Sequence, residues 1–223
     1  MRAGCTRNVA LLAGTTRDEA RLWSLYDPNF GETNPEAWHN LLWRMNAPDA
    51  TALQTAYRRH RPQASCRDIT QAILGDVLFR LPLIRLAEAQ AGHRSDTRMY
   101  LFAWETPVQD GRLGSPHAVE LPFVFGNLDA NGVSELIGKD PELQAERQAL
   151  VEAVQGAWIA FARTGNPSHP GLPPWPAYET QNRHTLVFDR LSEIHADPLG
   201  AERTVWGDVP FDGVTPSIED LTL

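Results

Sequence analysis

The sequence predicts an α/β protein whose incomplete, mostly parallel sheet is flanked by helices. Short apolar runs that end at polar residues or glycine alternate with longer segments of helical periodicity. The apolar share of 42% in 223 residues is enough for a substantial core. Only three such strand-like runs are found, and three parallel strands leave edges unpaired. The pattern therefore indicates a portion of a larger sheet.

The three predicted strands are buried ones, because each is a short apolar run. The first covers residues 8–13 (NVALLA) and is expected to end at Gly14. The second, residues 99–104 (MYLFAW), is rich in aromatic side chains, and the third covers residues 184–188 (HTLVF). Buried strands separated by helices favour a parallel sheet covered on both faces.

Helical periodicity fills most of the sequence between these runs. The longest predicted helix opens at Asp140-Pro141 and ends at Gly165, a natural C-cap. The five prolines of residues 166–178 predict an extended loop. The other predicted helices cover residues 35–46, 50–57, 65–78 and 82–91.

Charge and motifs exclude several functions. With 20 basic and 28 acidic residues the net charge is −8, so the chain lacks the clustered cations that nucleic-acid binding needs. Apolar stretches are too short for a membrane helix or a secretion signal. Metal-binding and nucleotide-binding motifs are absent, so we expect no cofactor. Cys5 and Cys66 are expected to be free thiols, and the protein is expected to be cytoplasmic.

Two adjacent carboxylates, Asp18 and Glu19, follow the first predicted strand in the segment GTTRDE. This is the end of a sheet where α/β proteins place catalytic groups, and a carboxylate there could orient a histidine. A threonine or aspartate in this position could equally cap the next helix. Both interpretations stay open on this segment alone.

A single histidine, His117, lies between a glycine-rich loop and an apolar, proline-braced segment. A histidine held on a loop between rigid elements is well placed to act as a general base, although a lone histidine is more often structural. Glu120 lies three residues later within apolar residues and needs a partner if it is buried.

Five blocks, taken together, resemble the C-terminal half of a type-B carboxylesterase, in the esterase/cholinesterase branch of the α/β-hydrolases. Their pattern is similar to that of bacterial para-nitrobenzyl esterases, and their collinear order makes the resemblance specific. The blocks are GTTRDE at 14–19, GDVLFRLP at 75–82, HAVELPFVFGNLD at 117–129, WIAFARTGNP at 158–167 and PPWPAY at 173–178.

The resemblance implies the C-terminal portion of an α/β-hydrolase fold and a Ser-His-Glu triad that hydrolyses small-molecule carboxylic esters without a cofactor. Glu19 matches the family's acid, with Asp18 as the runner-up, and His117 matches its catalytic histidine. Glu120 matches a neighbour that holds the histidine loop. The order acid before histidine agrees with this fold.

The nucleophile of such a triad is missing from the sequence. No serine has glycine two residues before and two residues after it, and the HGGG-type oxyanion motif is absent. We therefore expect residues 1–223 to be the C-terminal part of a carboxylesterase domain and to be inactive alone. Ser115, the serine nearest His117, is a poor candidate nucleophile. The alternative is a non-catalytic remnant or interaction module of the same fold.

Overall fold

The computed structural model describes residues 4–32, 34–47, 49–93 and 96–210. The strands among these residues are β1 Leu11–Thr16, β2 Thr97–Phe102, β3 His184–Phe188 and β4 Glu193–Ala196. The α-helices are α1 Pro35–Arg44, α2 Ala50–His60, α3 Cys66–Gly75, α4 Leu81–Ala91, α5 Leu121–Phe125, α6 Val133–Ile137, α7 Gln144–Thr164 and α8 Gly200–Trp206.

The four strands form one sheet in the order β1-β2-β3-β4. The first two pairings are parallel and the last is antiparallel. The prediction of a mostly parallel sheet with flanking helices is therefore confirmed. The fourth strand, β4, was not predicted, because its sequence EIHA has a single large apolar residue and three of its four residues are exposed.

The predicted start and end of β1 were wrong. The strand begins at Leu11 and includes Gly14, which was expected to end it. The reason is the ring of Tyr100 on β2, which lies against the Gly14 backbone. A Cβ at Gly14 would come within 2.3 Å of this ring, so only glycine fits here and the strand runs on to Thr16.

The structure divides into two compact units, each of which is described by itself. Among the described residues, unit 1 comprises those within 4–19 and 83–198, and unit 2 comprises those within 20–82 and 199–210. In unit 1 the sheet is covered on both faces, as expected of a parallel sheet. One face packs against α7 through Phe102, Leu186 and Phe188, and the other packs against α4 through Ala13 and Met99.

Helix α7 is the longest in the described part of the chain. It follows a 3-10 turn at Pro141–Leu143 and stops at Gly165, whose φ of 75° is left-handed. Both the opening at Asp140 and the glycine C-cap were predicted. The proline-rich loop after it is irregular, as predicted, but it buries Trp175 and Tyr178 against the core of unit 1.

Unit 2 is helical, with a core built from α1, α2, α3 and α8. Ser65 caps α3 in a capping box with Asp68. The chain continues without a break from α3 through a π-helical turn, Asp76–Arg80, into α4. The two helices predicted for residues 65–78 and 82–91 are therefore one continuous helical segment.

A buried polar cluster joins the π-helical turn to α2 and α8 inside unit 2. The Arg80 guanidinium donates two hydrogen bonds of 2.6 Å to the carboxylate of Asp76. Asp76 also accepts the hydroxyl of Tyr57 at 2.6 Å, and Tyr57 accepts the indole N–H of Trp206 at 2.9 Å. Glu202 of α8 binds Arg61 and lies 3.5 Å from Arg80.

Candidate active site

The candidate site lies where β1 and β2 end side by side. In the parallel register Thr16 is opposite Phe102, so the segments that follow both strands emerge at the same edge of the sheet. The first segment carries Glu19 three residues after β1, and the second leads to His117. This is the edge at which α/β sheets collect their functional groups.

Glu19 and His117 are in direct contact although 98 residues separate them in the sequence. Oε2 of Glu19 lies 2.5 Å from Nδ1 of His117. The other carboxylate oxygen accepts the backbone N–H of Thr16 at 2.7 Å. The backbone N–H of His117 donates to the carbonyl of Glu19 at 3.3 Å, so backbone and side chain both hold the pair.

The two side chains of this pair differ in exposure. The Glu19 side chain is 7% exposed, whereas that of His117 is 42% exposed. A carboxylate only accepts hydrogen bonds, so the proton between them is on Nδ1 of His117. The imidazole is thereby held in the tautomer whose Nε2 carries a lone pair, which is the form that a general base needs.

When the neutral ring takes up a proton at Nε2, the surrounding charges stabilise the cation that forms. The hydrogen bond to Glu19 raises the pKa of His117, and the charges of Glu19 and Glu120 raise it further against the effect of burial. The arrangement can therefore accept a proton at His117 and stabilise the resulting cation.

Glu120 lies close enough to the pair to influence it. Burial raises the pKa of Glu120, and the charge of Glu19 adds to this. Among the described residues, no hydrogen-bond partner reaches its buried Oε2 atom. Burial and the charges of Glu120 and Glu19 also raise the pKa of Tyr100, whose ring lies over Gly14. That Glu120 holds the histidine loop remains a prediction.

The structure gives Asp18 contacts that the sequence did not predict. Its backbone N–H donates to the carbonyl of Ser115 at 2.9 Å, and its Oδ2 accepts the N–H of Ser115 at 3.0 Å. Arg17 binds the same Oδ2 at 2.9 Å and reaches Glu105 at 2.6 Å. Asp18 and Glu19, where a 3-10 helix begins at Glu19, therefore bind Ser115 and His117, while Arg17 binds Asp18 and Glu105.

Ser115 is excluded as a nucleophile by its surroundings. It is 0% exposed, and its hydroxyl donates to the carbonyl of Phe102 at 2.8 Å. Ser65 caps α3, and the hydroxyl of Ser24 accepts from Gln71. Cys5 and Cys66 are exposed free thiols. Ser95 and Ser217 lie outside the described residues.

Neither a metal site nor a membrane span is found in the part of the chain that the structure describes. Its His, Cys, Asp and Glu side chains form no group of three that could hold a metal ion. None of its helices combines the length and apolar character that crossing a bilayer requires.

Sequence reasoning found Glu19 and His117 but missed the groups that hold them. The N–H of Thr16 binds Glu19 from the end of β1, and the contact of Asp18 with Ser115 depends on where two distant segments meet. One signal was present in the sequence, since an isolated glycine in an apolar strand indicates close approach of another group.

Comparison with known proteins gives consistent matches. The model of the carboxylesterase family matches residues 1–204. The para-nitrobenzyl esterase of Bacillus subtilis is 36% identical over 202 residues, which are 90% of this chain and 38% of that protein. The phenmedipham hydrolase of Pseudarthrobacter oxydans is 31% identical over 193 residues, 85% of this chain and 38% of that one.

Solved structures agree with the sequence matches. A carboxylesterase of Geobacillus stearothermophilus superimposes with a TM-score of 0.78 at 33% identity, covering 92% of this chain and 42% of that one. A thermophilic para-nitrobenzyl esterase superimposes with a TM-score of 0.70 at 29% identity, again over 92% of this chain. The chain spans about two fifths of the length of these relatives.

Proposed function

Since this chain belongs to the carboxylesterase family, we propose that Glu19 and His117 are the acid and the general base of a Ser-His-Glu triad that hydrolyses small-molecule carboxylic esters. The observation that carries the proposal is the 2.5 Å contact between Glu19 Oε2 and His117 Nδ1, made across 98 residues of sequence. Such a contact, with the ring half exposed, is the arrangement that a triad requires of its acid and base.

The mechanism assigns one role to each group. His117 accepts the proton of a serine hydroxyl at Nε2 while the serine oxygen attacks the ester carbonyl, and then gives that proton to the departing alcohol. A water molecule activated by the same Nε2 releases the acid from the acyl-enzyme. Glu19 fixes the tautomer and stabilises the imidazolium, as the raised pKa of His117 implies.

The 223 residues lack a serine with the sequence context that this chemistry needs. No G-x-S-x-G segment occurs in them, and the buried hydroxyl of Ser115 is bound to a backbone carbonyl. Removing the nucleophile or an oxyanion donor costs orders of magnitude in rate. We therefore propose that these residues alone contribute the acid and the base and do not turn over esters.

A fluorophosphonate probe tests the absence of a nucleophile. The purified chain, shown to be folded by circular dichroism, is incubated with the probe and its intact mass is measured beside a serine esterase as positive control. We expect no adduct on this chain. A single adduct that disappears in His117→Ala would contradict the proposal that these residues carry no nucleophile.

The acid–base pair has its own test, which needs no turnover. In an NMR titration of the imidazole resonances, Glu19→Gln should lower the pKa of His117, because the carboxylate that raises it is gone. His169, whose Nε2 lies 2.9 Å from the carbonyl of Ala153, serves as the internal control, and its resonance positions at one fixed pH should be the same in both proteins. An unchanged His117 curve would disprove the pairing.

A further inference from the structure

Two hydrogen-bonded pairs of residues connect the segment that carries the acid, residues 17–19 (the acid loop), to the segment that carries the histidine, residues 114–118 (the histidine loop). In the first, Asp18 and Ser115 exchange two bonds, from the Asp18 N–H to the Ser115 carbonyl at 2.9 Å and from the Ser115 N–H to Asp18 Oδ2 at 3.0 Å. In the second, Glu19 and His117 exchange the backbone bond of 3.3 Å and the side-chain contact of 2.5 Å. Asp18 is adjacent to Glu19, and Ser115 lies two residues before His117. The first pair therefore fixes the backbone that carries the two side chains of the second pair.

The segment that carries His117 needs such an anchor because its backbone has positive φ on both sides and is strained at Ala118. Gly114 has a φ of 60°, and Ala118 has a φ of 67° in the left-handed region that side chains disfavour. A non-glycine residue in this region costs about 1–2 kcal/mol, so the surrounding contacts must impose it. Ser115 lies between these two positions and is 0% exposed.

The backbone between Ser115, which Asp18 holds, and the imidazole of His117 is short and rigid. Only Pro116 separates Ser115 from His117, and its ring fixes one backbone dihedral. The Ser115 hydroxyl also binds the carbonyl of Phe102, the last residue of β2. Moving the Ser115 backbone would therefore move the His117 ring away from Glu19.

We propose that Asp18 is a positioning residue, whose carboxylate holds the Ser115 amide and thereby keeps His117 within hydrogen-bonding distance of Glu19. This inference rests on the proposed function of the Glu19–His117 pair and assigns Asp18 a role in the same site. It also gives the first acidic position of GTTRDE a task other than that of the catalytic acid or a helix cap.

Arg17 supports this role from the outer side of the loop. Its guanidinium binds Asp18 Oδ2 at 2.9 Å and Glu105 at 2.6 Å, and its backbone N–H donates to the carbonyl of Phe102 at 2.8 Å. The Asp18 carboxylate is therefore oriented between Arg17 and the Ser115 amide. Its side chain is only 6% exposed, so water is largely kept from replacing these partners.

The test compares Asp18→Ala with Asp18→Asn in the whole 223-residue chain. Both variants remove one negative charge, so their direct electrostatic effects on His117 are matched. Asparagine keeps an oxygen that can accept the Ser115 amide, whereas alanine leaves that buried amide without its acceptor. The readouts are the NMR titration of His117 and the low-field resonance of its Nδ1 proton.

We expect the pKa of His117 to fall in Asp18→Ala by at least about half a pH unit more than in Asp18→Asn. The low-field Nδ1 resonance should be lost in the alanine variant and retained in the asparagine variant. Equal shifts in the two variants would mean that only the charge of Asp18 matters, and this would overturn the proposal.

A second variant covers the case in which Asp18→Ala does not fold. Asp18→Glu keeps the charge but displaces the acceptor oxygen by one methylene, so it should also weaken the Nδ1 resonance. A wild-type His117 curve in Asp18→Glu would overturn the proposal. Glu19→Gln separates this outcome from failure of the proposed function, because that variant tests the acid–base pair without altering the Asp18–Ser115 contact.

Discussion

The pair Glu19–His117 in unit 1 and the pair Asp76–Arg80 in unit 2 are both close contacts of a buried carboxylate. They differ in how far His117 and Arg80, the partners of the two carboxylates, are exposed to solvent. Asp76 and Arg80 are each 7% exposed, whereas His117 is 42% exposed beside a Glu19 that is 7% exposed. In an ion pair that is closed on both sides, each partner keeps the other from being a lone buried charge, whereas a pair with an exposed ring can also exchange a proton with a ligand.

The unit 2 cluster shows how a closed set of charges is satisfied. Asp76 accepts from Tyr57 and Arg80, and Glu202 accepts from Arg61 and Arg80. Two guanidinium groups therefore surround two buried carboxylates, although burial and the charge of Asp76 still raise the pKa of Glu202 to about 7. If shifted pKa values were the only criterion, this cluster would be identified as a functional site. Exposure of one partner therefore distinguishes a functional pair from a structural one more reliably.

The largest expected effect is that of breaking the closed cluster. Arg80→Ala leaves the carboxylates of Asp76 and Glu202 buried with fewer partners, and removing one side of a buried ion pair costs about 3–5 kcal/mol. Urea unfolding followed by circular dichroism should show this loss. Arg190→Ala is the control, since its ion pair with Glu146 is 3.1 Å long and the Arg190 side chain is 67% exposed. A loss as small as that of the control would contradict the role assigned to the cluster.

A smaller effect is expected where β1 approaches Tyr100 behind the active pair. Gly14→Ala places a methyl group 2.3 Å from the Tyr100 ring, and such overpacking costs about 1–3 kcal/mol. The melting temperature should fall accordingly. In the double variant with Tyr100→Leu, the alanine should cost less than it does with the ring present. Equal costs in both backgrounds would disprove the close approach.

The smallest expected effects are changes of stability with pH. They distinguish the two pairs, because Glu202 and His117 contribute stability over different pH ranges. Burial and Asp76 raise the pKa of Glu202 from 4.5 to about 7, so the stability that this residue contributes below pH 4.5 is lost as the pH rises to about 7. The raised pKa of His117 contributes stability below pH 6.5, which is lost as the pH rises through its folded value.

The two pH windows can be separated by variants. In urea titrations between pH 4 and 9, Glu202→Gln should remove the dependence below about pH 7 and leave the rest. Glu19→Gln should remove only the upper window, with an effect below about 1 kcal/mol because the imidazole is partly exposed. A wild-type pH profile in Glu202→Gln would contradict the buried position of that carboxylate.

Local sequence patterns predicted those helices and strands whose bounds depend only on their own residues. The apolar run of β3 was placed at its observed residues, and the C-cap of α7 was predicted from Gly165. The position of β1 was not, because Gly14 is a strand residue through the pairing of β1 with the distant β2. The π-helical turn at Asp76–Arg80 also escaped prediction, since it depends on the buried partners of these two side chains.

The candidate site was predictable only in part. Glu19 and His117 came from their resemblance to family motifs, because spacing alone does not say that residues 98 apart will meet. The roles of Asp18 and Ser115 could not be predicted, since both depend on the register in which two loops meet. Ser115 remained a candidate nucleophile until its burial and its bond to Phe102 were seen.

The parallel pairing of β1 with β2 also has a consequence for the order of folding. Residues 17–96 separate the two strands, so this pairing closes a long loop, and long-range strand pairs form slowly. Unit 2 has its own core within residues 20–82 and α8, and its helices α1 to α3 are neighbours in sequence. We expect these helices to gain structure first. The Glu19–His117 contact, and with it the shifted histidine resonance, would then report the last step of refolding.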